Sequence, residues 1–378
     1  MPLPVLHVDG DAYNQGCQHG SALRDQIAEN LEVYFDRFQL EGRLSPHEVR
    51  ERAESYRSVL SGHAYWRGIE GVAAGAGLPI LDVLALNVRY ELLYYQFGVC
   101  GVGGPDGCTA FALLPSATDN RHLFLGQNWD WIPNVLGAIV HTIDDDGFET
   151  LGFTEAGIVG SKIGLNSVGL GLTINGLVSS VDDWSRWSLP FHARCFDVLR
   201  SRSLDAARAI IAEAPRACSA NFLVAMPPES AVDIEAAPLS LRELHPRDSM
   251  LIHSNHFLDP ARLGIEQPIV DPRPHSRWRQ ARMQTLLEAR RPVSEGDLEA
   301  ALRDHDNYPD SICRHENDVD PPEERYLTVT SVIMDLDERS MRLTDGPPCE
   351  HLYEAYSLPH TALLAASRDG QPITTGSN

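Results

Sequence analysis

Gly107-Cys108-Thr109-Ala110-Phe111 begins the stretch of sequence that decides the fold. The stretch continues through a turn at Thr118-Asp119-Asn120 and ends with Gly126-Gln127-Asn128-Trp129-Asp130. The two runs that flank the turn are apolar enough to pair as an antiparallel hairpin centred on Asp119, which would bring a thiol, a carboxylate and an amide to one face. Side chains opposite each other in such a ladder have Cβ atoms roughly 4.5 to 5.5 Å apart, and a slip of one residue would send them to opposite faces. The expected pairs are Cys108 with Asp130, Ala110 with Asn128, and Ala112 with Gly126.

Composition excludes several classes of protein. The 378 residues include 53 acidic and 31 basic side chains, for a formal charge of −22, which disfavours nucleic acid and anionic membranes as partners. The N-terminus lacks the basic and apolar regions of a signal peptide, and no apolar run approaches the roughly 20 residues that span a bilayer. Seven scattered cysteines without a C-x-x-C pair predict neither a disulfide framework nor a zinc site, so no metal is expected and a reducing cytoplasm fits best.

The order of predicted elements indicates the α+β class. Helical periodicity dominates the first hundred residues, and Asp82 is the predicted cap of a helix from Val83 to Phe97. A glycine-rich connector at 98–107 precedes the hairpin, and strand-like runs follow it. Helices return near 190–214 and 276–290, strands near 222–254 and 327–344, and the tail after Leu364 is polar. This segregation predicts antiparallel sheet packed by helices.

The Gly107–Cys108 pair has a specific chemical use. Glycine reaches backbone conformations closed to other residues, so a strained peptide there could be attacked by the Cys108 thiol and then released by water. The new α-amine, with a reference pKa near 7.7 to 8.0, could serve as the general base for the thiol. A Gly-Cys pair by itself is more often inert, because free cysteine is commonly a buried apolar side chain.

Further motifs strengthen the catalytic interpretation. They are Asp106-Gly107-Cys108-Thr109-Ala110-Phe111, Gly126-Gln127-Asn128-Trp129-Asp130-Trp131, Ser254-Asn255-His256-Phe257, Asp306-Asn307-Tyr308-Pro309-Asp310-Ser311-Ile312-Cys313-Arg314, and Val329 to Pro348. With these motifs, the sequence resembles the acyl-coenzyme A:isopenicillin N acyltransferase family, the C45-type self-processing members of the N-terminal-nucleophile hydrolases. The resemblance runs in family order from about residue 10 to residue 358.

The resemblance implies a fold and a set of roles. The fold would be a single four-layer αββα sandwich, with residues 1–107 as a helical pro-segment that becomes an α chain and 108–378 as the catalytic β chain. Cys108 would be the nucleophile, exposed by autocleavage of the Gly107–Cys108 bond, and Asp130 would orient the new amine. Asn255 would be the oxyanion-hole side chain, and Asn175 resembles a second amide used by the related bile-salt and penicillin V hydrolases.

The catalytic arginine and the substrate contacts have more than one candidate. Arg325 matches the position of the acyltransferase arginine and is favoured, whereas Arg277 resembles the Ser-Arg of the bile-salt enzymes. Gln127 stands where those enzymes have an arginine, so their substrate anchoring is not expected here. Gln127, Asn128 and Arg277 are therefore secondary candidates for contacting substrate. His253 and His256 lack a third ligand at a telling spacing, which argues against a metal pair.

The expected activity is cleavage or transfer of an acyl group at an amide through a thioester, on a small N-acylated substrate. No cofactor is expected, although acyl-coenzyme A is a candidate acyl donor. The cleaved α chain is an expected partner, and a homo-oligomer is an option. The chain ends without the peroxisomal signal of the fungal acyltransferases. Two alternatives remain: a binding protein on the same fold that never matures, and an unprocessed Cys-His thiol hydrolase with His253 or His256 as base.

Overall fold

Two β-sheets form the centre of the molecule in the computed structural model, which describes residues 3–99, 107–265, 275–321 and 325–358. The strands are β1 (Val5–Asp9), β2 (Thr109–Leu113), β3 (Phe124–Trp131), β4 (Gly137–Ile143), β5 (Glu149–Glu155), β6 (Ile163–Asn166), β7 (Gly171–Gly176), β8 (Ala220–Met226), β9 (Ser230–Ala236), β10 (Leu241–Leu244), β11 (Met250–His253), β12 (Leu327–Asp335), β13 (Ser340–Leu343) and β14 (Glu354–Ser357). The larger sheet has the order β1-β4-β5-β6-β7-β8-β9-β10, and the smaller has the order β11-β2-β3-β12-β13-β14. Among these described strands, all neighbouring pairs are antiparallel except β1 with β4.

Helices cover both outer faces of the paired sheets. The inner faces meet where β2 and β3 pack on β7, and β11 packs on β9. Two helices, α8 (Phe191–Leu199) and α9 (Leu204–Ala212), lie on the larger sheet. Two others, α10 (Ser276–Glu288) and α11 (Glu295–Leu302), lie on the smaller sheet. The predicted α+β class and four-layer αββα order are therefore confirmed.

The first hundred residues are mostly helical, as predicted, but they begin with a strand that the sequence did not indicate. β1 pairs in parallel with β4, so the N-terminal segment adds an edge strand to the larger sheet. The predicted helix at Val83–Phe97 is two helices, and Asp82 lies inside the first of them, so its predicted capping role is wrong. The helices are α1 (Ala12–Ala22), α2 (Arg24–Leu40), α3 (Pro46–Ser55), α4 (Arg57–Leu60), α5 (Ala64–Ala76), α6 (Ile80–Asn87) and α7 (Arg89–Val99).

The central hairpin forms, but its register differs by one residue from the predicted one. Thr109 lies opposite Asn128, and Phe111 lies opposite Gly126. Asn128 consequently faces the α10–α11 layer, where its Nδ2 donates to the carbonyl oxygens of Leu302 and Ile312, each at 2.8 Å. The predicted pairs Cys108–Asp130, Ala110–Asn128 and Ala112–Gly126 are wrong, because the turn at 114–123 is not centred on Asp119.

Some sequence-based expectations fall on residues outside the described ranges. They are most of the connector at 98–107, Cys100 and the polar tail after Leu364. Within the described residues, no helix combines the length and the apolar character needed to cross a bilayer.

Candidate active site

Cys108 lies at the start of β2 in a conformation that few non-glycine residues adopt. Its φ is +51°, in the left-handed region, and only 4% of the residue is exposed. Gly107 packs on the backbone of β3, where an added Cβ would lie 2.9 Å from the carbonyl oxygen of Asp130. The observed register, continued two residues beyond Thr109–Asn128, puts Gly107 rather than Cys108 opposite Asp130, so the Gly107–Cys108 peptide lies beside Asp130.

The surroundings of the Cys108 sulfur hold it in the thiol form. Burial raises its pKa to about 12, and the charge of Asp130 acts in the same direction, while a backbone hydrogen bond from Asp130 opposes them. Asp130 is itself fixed, because the Thr328 hydroxyl on β12 donates to its Oδ1 at 2.7 Å. The thiol thus needs a base before it can attack a carbonyl carbon.

Arg279 is a site residue that sequence reasoning missed. It is fully buried, and its Nη1 donates to the Cys108 carbonyl oxygen at 2.6 Å and to Thr109 Oγ1 at 2.9 Å. Its Nη2 donates to Asn255 Oδ1 at 3.1 Å. The spacing of residues along α10 could have indicated Arg279. The buried face of this helix consists of Ser276, Arg279, Met283 and Leu287. Arg277 is not on that face and is exposed.

Three side-chain amides lie close together between the sheets. Asn255 is anchored by the bond from Arg279, and its Nδ2 donates to the Gly176 carbonyl oxygen at 3.1 Å. Asn175 Oδ1, one residue earlier on β7, accepts a bond from Asn221 at 3.2 Å, while its buried Nδ2 has no hydrogen-bond partner. Gln127 likewise accepts from the Ile174 N–H at 2.8 Å and leaves its Nε2 unpaired. Buried amide donors without partners are rare, and donors of this type stabilise oxyanions.

A buried ion network borders the same region and includes residues from the N-terminal helices. Glu155 forms ion pairs with Arg89 on α7 and with Lys162, and it accepts a bond from Tyr34 on α2. Burial opposes ionisation of Glu155, but the charges of Arg89 and Lys162 prevail and lower its pKa to about 2. Lys162 Nζ lies 3.1 Å from the centroid of the Trp129 ring on β3. Sequence spacing gave no signal for this network.

The structure does not bring the favoured arginine to this group. The Arg325 side chain donates to the carbonyl oxygens of Asp318 and Asp320, each at 3.0 Å, in a surface turn near α2. His253 hydrogen-bonds through Nε2 to Glu235 at 3.2 Å and through Nδ1 to the Ser254 carbonyl oxygen at 2.7 Å. His256 Nδ1 hydrogen-bonds to Ser276 Oγ at 2.7 Å. Both nitrogens of His253 are thus engaged away from the thiol.

Comparison with known proteins agrees with the sequence motifs. The family model for acyl-coenzyme A:6-aminopenicillanic acid acyl-transferase matches residues 116–348, more than half of the chain. The chain belongs to this acyltransferase family. A relative from Emericella nidulans, described as the 40 kDa form of acyl-coenzyme A:6-aminopenicillanic-acid-acyltransferase, is 30% identical over 321 residues, which cover 82% of this chain and 85% of the relative.

Solved structures give weaker similarities. An N-acylethanolamine-hydrolyzing acid amidase ortholog from Caenorhabditis elegans has a TM-score of 0.46 at 15% identity, over 67% of this chain and 100% of that one. Penicillin V acylase from Agrobacterium tumefaciens has a TM-score of 0.44 at 13% identity, over 63% and 83%. At these scores neither similarity decides anything about this chain. The family match confirms the expectation that the chain is an enzyme of the acyltransferase type.

Proposed function

We propose that this acyltransferase family member is made as an inactive precursor that cuts its own Gly107–Cys108 bond and then uses Cys108 as an N-terminal nucleophile. In the first step the Cys108 sulfur attacks the Gly107 carbonyl carbon, and the C–N bond breaks so that the acyl group moves from nitrogen to sulfur. The thiol proton is transferred to the Cys108 nitrogen, which becomes the free amine. Water then hydrolyses this thioester, which leaves a carboxylate on Gly107 and a free α-amine on Cys108. Residues 1–107 become the α chain, and residues 108–378 become the β chain.

The observation that carries the proposal is the conformation of the Gly107–Cys108 junction. A cysteine at φ +51° is strained, and an alanine at 107 would collide with the Asp130 carbonyl oxygen. The Cys108 thiol is nearly inaccessible in the intact chain, and its pKa is raised, so it would be a poor nucleophile toward an external substrate. Cleavage would remove the second obstacle, because the new α-amine titrates near pH 7.7 to 8.0 and can accept the thiol proton.

The neighbouring groups have distinct roles in this mechanism. Asp130, held by Thr328, orients the α-ammonium that forms. The oxyanion of each tetrahedral intermediate is stabilised by the amide of Asn255 and by the unpartnered Nδ2 of Asn175. Arg279 holds the Cys108 carbonyl oxygen and Asn255 in one arrangement, so we favour it over Arg325 and Arg277 as the arginine that serves the site.

The α chain remains bound after cleavage in this proposal. β1 pairs with β4 over five residues, from Val5 with Ile139 to Asp9 with Ile143. Arg89 also contributes its charge to the buried pair with Glu155. Breaking a buried ion pair by losing one partner costs about 3–5 kcal/mol, which disfavours dissociation.

The substrate class follows from the chemistry of the nucleophile. The mature Cys108 thiolate attacks an acyl carbonyl, an amine or a thiol leaves, and the enzyme thioester passes its acyl group to water or to a second amine. Acyl-coenzyme A, the donor named for the Emericella nidulans relative, is the first donor to assay, and N-acyl amino acids and p-nitroanilides are the first amides.

Mass spectrometry with N-terminal sequencing of the purified chain tests the proposal. We expect wild-type protein to convert into two fragments, the second beginning Cys-Thr-Ala-Phe, and Cys108→Ala to stay intact and inactive. Cys218→Ala is the matched control, since Cys218 is also buried but lies outside the site. An intact wild-type chain with full activity would support an unprocessed thiol hydrolase instead. An intact chain that only binds ligand would support the binding protein.

A further inference from the structure

A second cluster of reactive side chains lies away from Cys108, in the segment between α11 and β12. His305, Cys313 and His315 come from this segment, and Cys349 comes from the turn that follows β13. One ligand atom from each of the four lies within 4.8 Å of all the others. We refer to these four residues as the Cys2His2 cluster, and none of them takes part in the proposed acyl transfer.

Distances within the Cys2His2 cluster match the edges of a zinc tetrahedron. The two sulfurs are 3.5 Å apart, His315 Nε2 lies 3.6 Å from Cys313 Sγ and 3.3 Å from Cys349 Sγ, and the two histidine Nε2 atoms are 3.1 Å apart. Zn–S bonds of about 2.3 Å and Zn–N bonds of about 2.0–2.1 Å require edges of about 3.8 Å, 3.6 Å and 3.3 Å for S–S, S–N and N–N pairs. Four of the six edges are therefore close to those of a zinc site, and the two from His305 to the sulfurs lie within 4.8 Å.

Hydrogen bonds alone do not account for this arrangement. His315 Nε2 faces three heteroatoms at once, namely the Nε2 of His305 and both sulfurs. A neutral imidazole nitrogen offers either one N–H or one lone pair, so it can satisfy one of these neighbours in good geometry. A shared cation at the centre satisfies all four. We propose that the Cys2His2 cluster binds one zinc ion with four protein ligands, as a structural site.

The ligand types and the outer contacts agree with zinc. Two thiolates and two imidazoles in a tetrahedral arrangement favour Zn²⁺ over hard cations such as Mg²⁺ and Ca²⁺. His315 Nδ1 lies 3.5 Å from Glu350 Oε1, in the position from which a carboxylate orients a metal-bound histidine. Sequence spacing predicted no metal, because seven residues separate His305 from Cys313 and the fourth ligand follows only at 349, unlike the short paired spacings of common zinc motifs.

The bound ion would hold the segment that supports the active site. Cys313 adjoins Arg314, whose backbone N–H donates to Thr328 Oγ1 at 2.9 Å, and the same hydroxyl donates to Asp130. The Ile312 carbonyl oxygen accepts from Asn128 on β3. Zinc would therefore link the turn at Cys349 to a segment that is hydrogen-bonded to β3 through Ile312 and to β12 through Arg314.

Metal analysis of the untagged full-length chain tests this inference. We expect about one zinc per chain by inductively coupled plasma mass spectrometry, retained through a brief dialysis against EDTA. Cobalt substitution should give the visible bands of a tetrahedral site and sulfur-to-cobalt charge transfer. Cys349→Ser should lose zinc in the same dialysis and lose the charge-transfer band from that sulfur. Its control is Cys17→Ser, which alters a half-buried cysteine outside the Cys2His2 cluster and should behave as wild type.

Cys349 is exposed, so its replacement by serine does not disturb the core. Loss of zinc from Cys349→Ser would therefore report the loss of a ligand and not unfolding of the chain. His305→Gln, also exposed, provides a second independent ligand variant. Absence of zinc from wild-type protein after reconstitution with the metal would overturn the inference. So would equal zinc retention in both ligand variants, or recovery of Cys313 and Cys349 as a disulfide from reduced cell extract.

Discussion

The hydroxyl of Thr328 offers a sharp test of the role given to Asp130. Thr328→Val keeps the shape of this fully buried side chain but removes the O–H that donates to Asp130 Oδ1 at 2.7 Å. It also removes the acceptor of the Arg314 N–H. A hydrogen bond to a charged group contributes about 1.5–3 kcal/mol, and an orphaned buried N–H adds about 1–3 kcal/mol, so we expect a loss of stability of about 2.5–6 kcal/mol.

The effect of Thr328→Val on self-cleavage follows from the lost hydrogen bond to Asp130, which contributes about 1.5–3 kcal/mol. If the oriented carboxylate is needed in the transition state, losing about 1.5–3 kcal/mol there slows cleavage about 10- to 150-fold. Thr330→Val is the matched control on the same strand, because Thr330 is equally buried but its hydroxyl donates to the Thr344 carbonyl oxygen at 2.8 Å. It should lose about 1 kcal/mol of stability and cleave at close to the wild-type rate.

Two measurements separate folding from chemistry. The rate is followed as the fraction of intact chain by mass spectrometry after cell-free synthesis. Stability is measured by urea unfolding in a Cys108→Ala background, where the chain stays in one piece. Equal slowing in the Thr328 and Thr330 variants would mean that general damage to β12 causes the effect. Cleavage at the wild-type rate in Thr328→Val would refute the positioning of Asp130 by this hydroxyl.

Three further predictions follow from the contacts of single residues. Gly107→Ala should leave most of the chain uncleaved on gels, because its Cβ would lie 2.9 Å from a backbone oxygen that cannot move aside. Arg279→Gln should reduce the cleavage rate more than 100-fold, since about 1.5–3 kcal/mol is lost for each of its charged hydrogen bonds, whereas exposed Arg277→Gln should stay within about 0.5 kcal/mol of wild type in urea unfolding. The hydrogen bond to Asp197 raises the pKa of His63, so this pair stabilises the fold below about pH 6.5 and the contribution is lost as pH rises through the raised pKa. His63→Gln should therefore lower the unfolding free energy more at about pH 5.5 than at about pH 8.5, and an equal loss at both would contradict the assigned charge.

Periodicity in the sequence was sufficient to predict the α+β class of the fold, whereas the four-layer αββα order was implied by the family resemblance. Strands and helices with clear apolar patterns, such as β12 and α10, appear at the expected positions. β1 was missed because it is a five-residue edge strand with alternating exposure. No adjacent strand in the sequence pairs with it, so no hairpin pattern indicates it. The helix break at Val88 was missed because this residue carries no turn signal.

Local spacing predicted the site less completely than the fold. The hairpin register failed because a ten-residue turn can close with more than one alignment, and only packing of Asn128 against the 302–312 segment decides between them. Arg279 and the Cys2His2 cluster depend on contacts across long sequence separations, which no local pattern carries. The buried stripe of α10 is the exception, since its spacing already separates Arg279 from Arg277.

The left-handed conformation of Cys108 connects the two stages of the proposed mechanism. Holding a non-glycine residue at φ +51° costs about 1–2 kcal/mol, and Arg279 opposes this cost through its bond to the Cys108 carbonyl oxygen. Cleavage of the Gly107–Cys108 bond removes the acyl group that defines φ, so the strain ends while the carbonyl side stays held. The sulfur would therefore keep its place beside Asp130 as the nitrogen becomes free to rotate and act as a base. Because the carbonyl side of Cys108 stays held while its nitrogen is freed, the same residue can lie beside the Gly107 carbonyl carbon before cleavage and act as the positioned nucleophile after it.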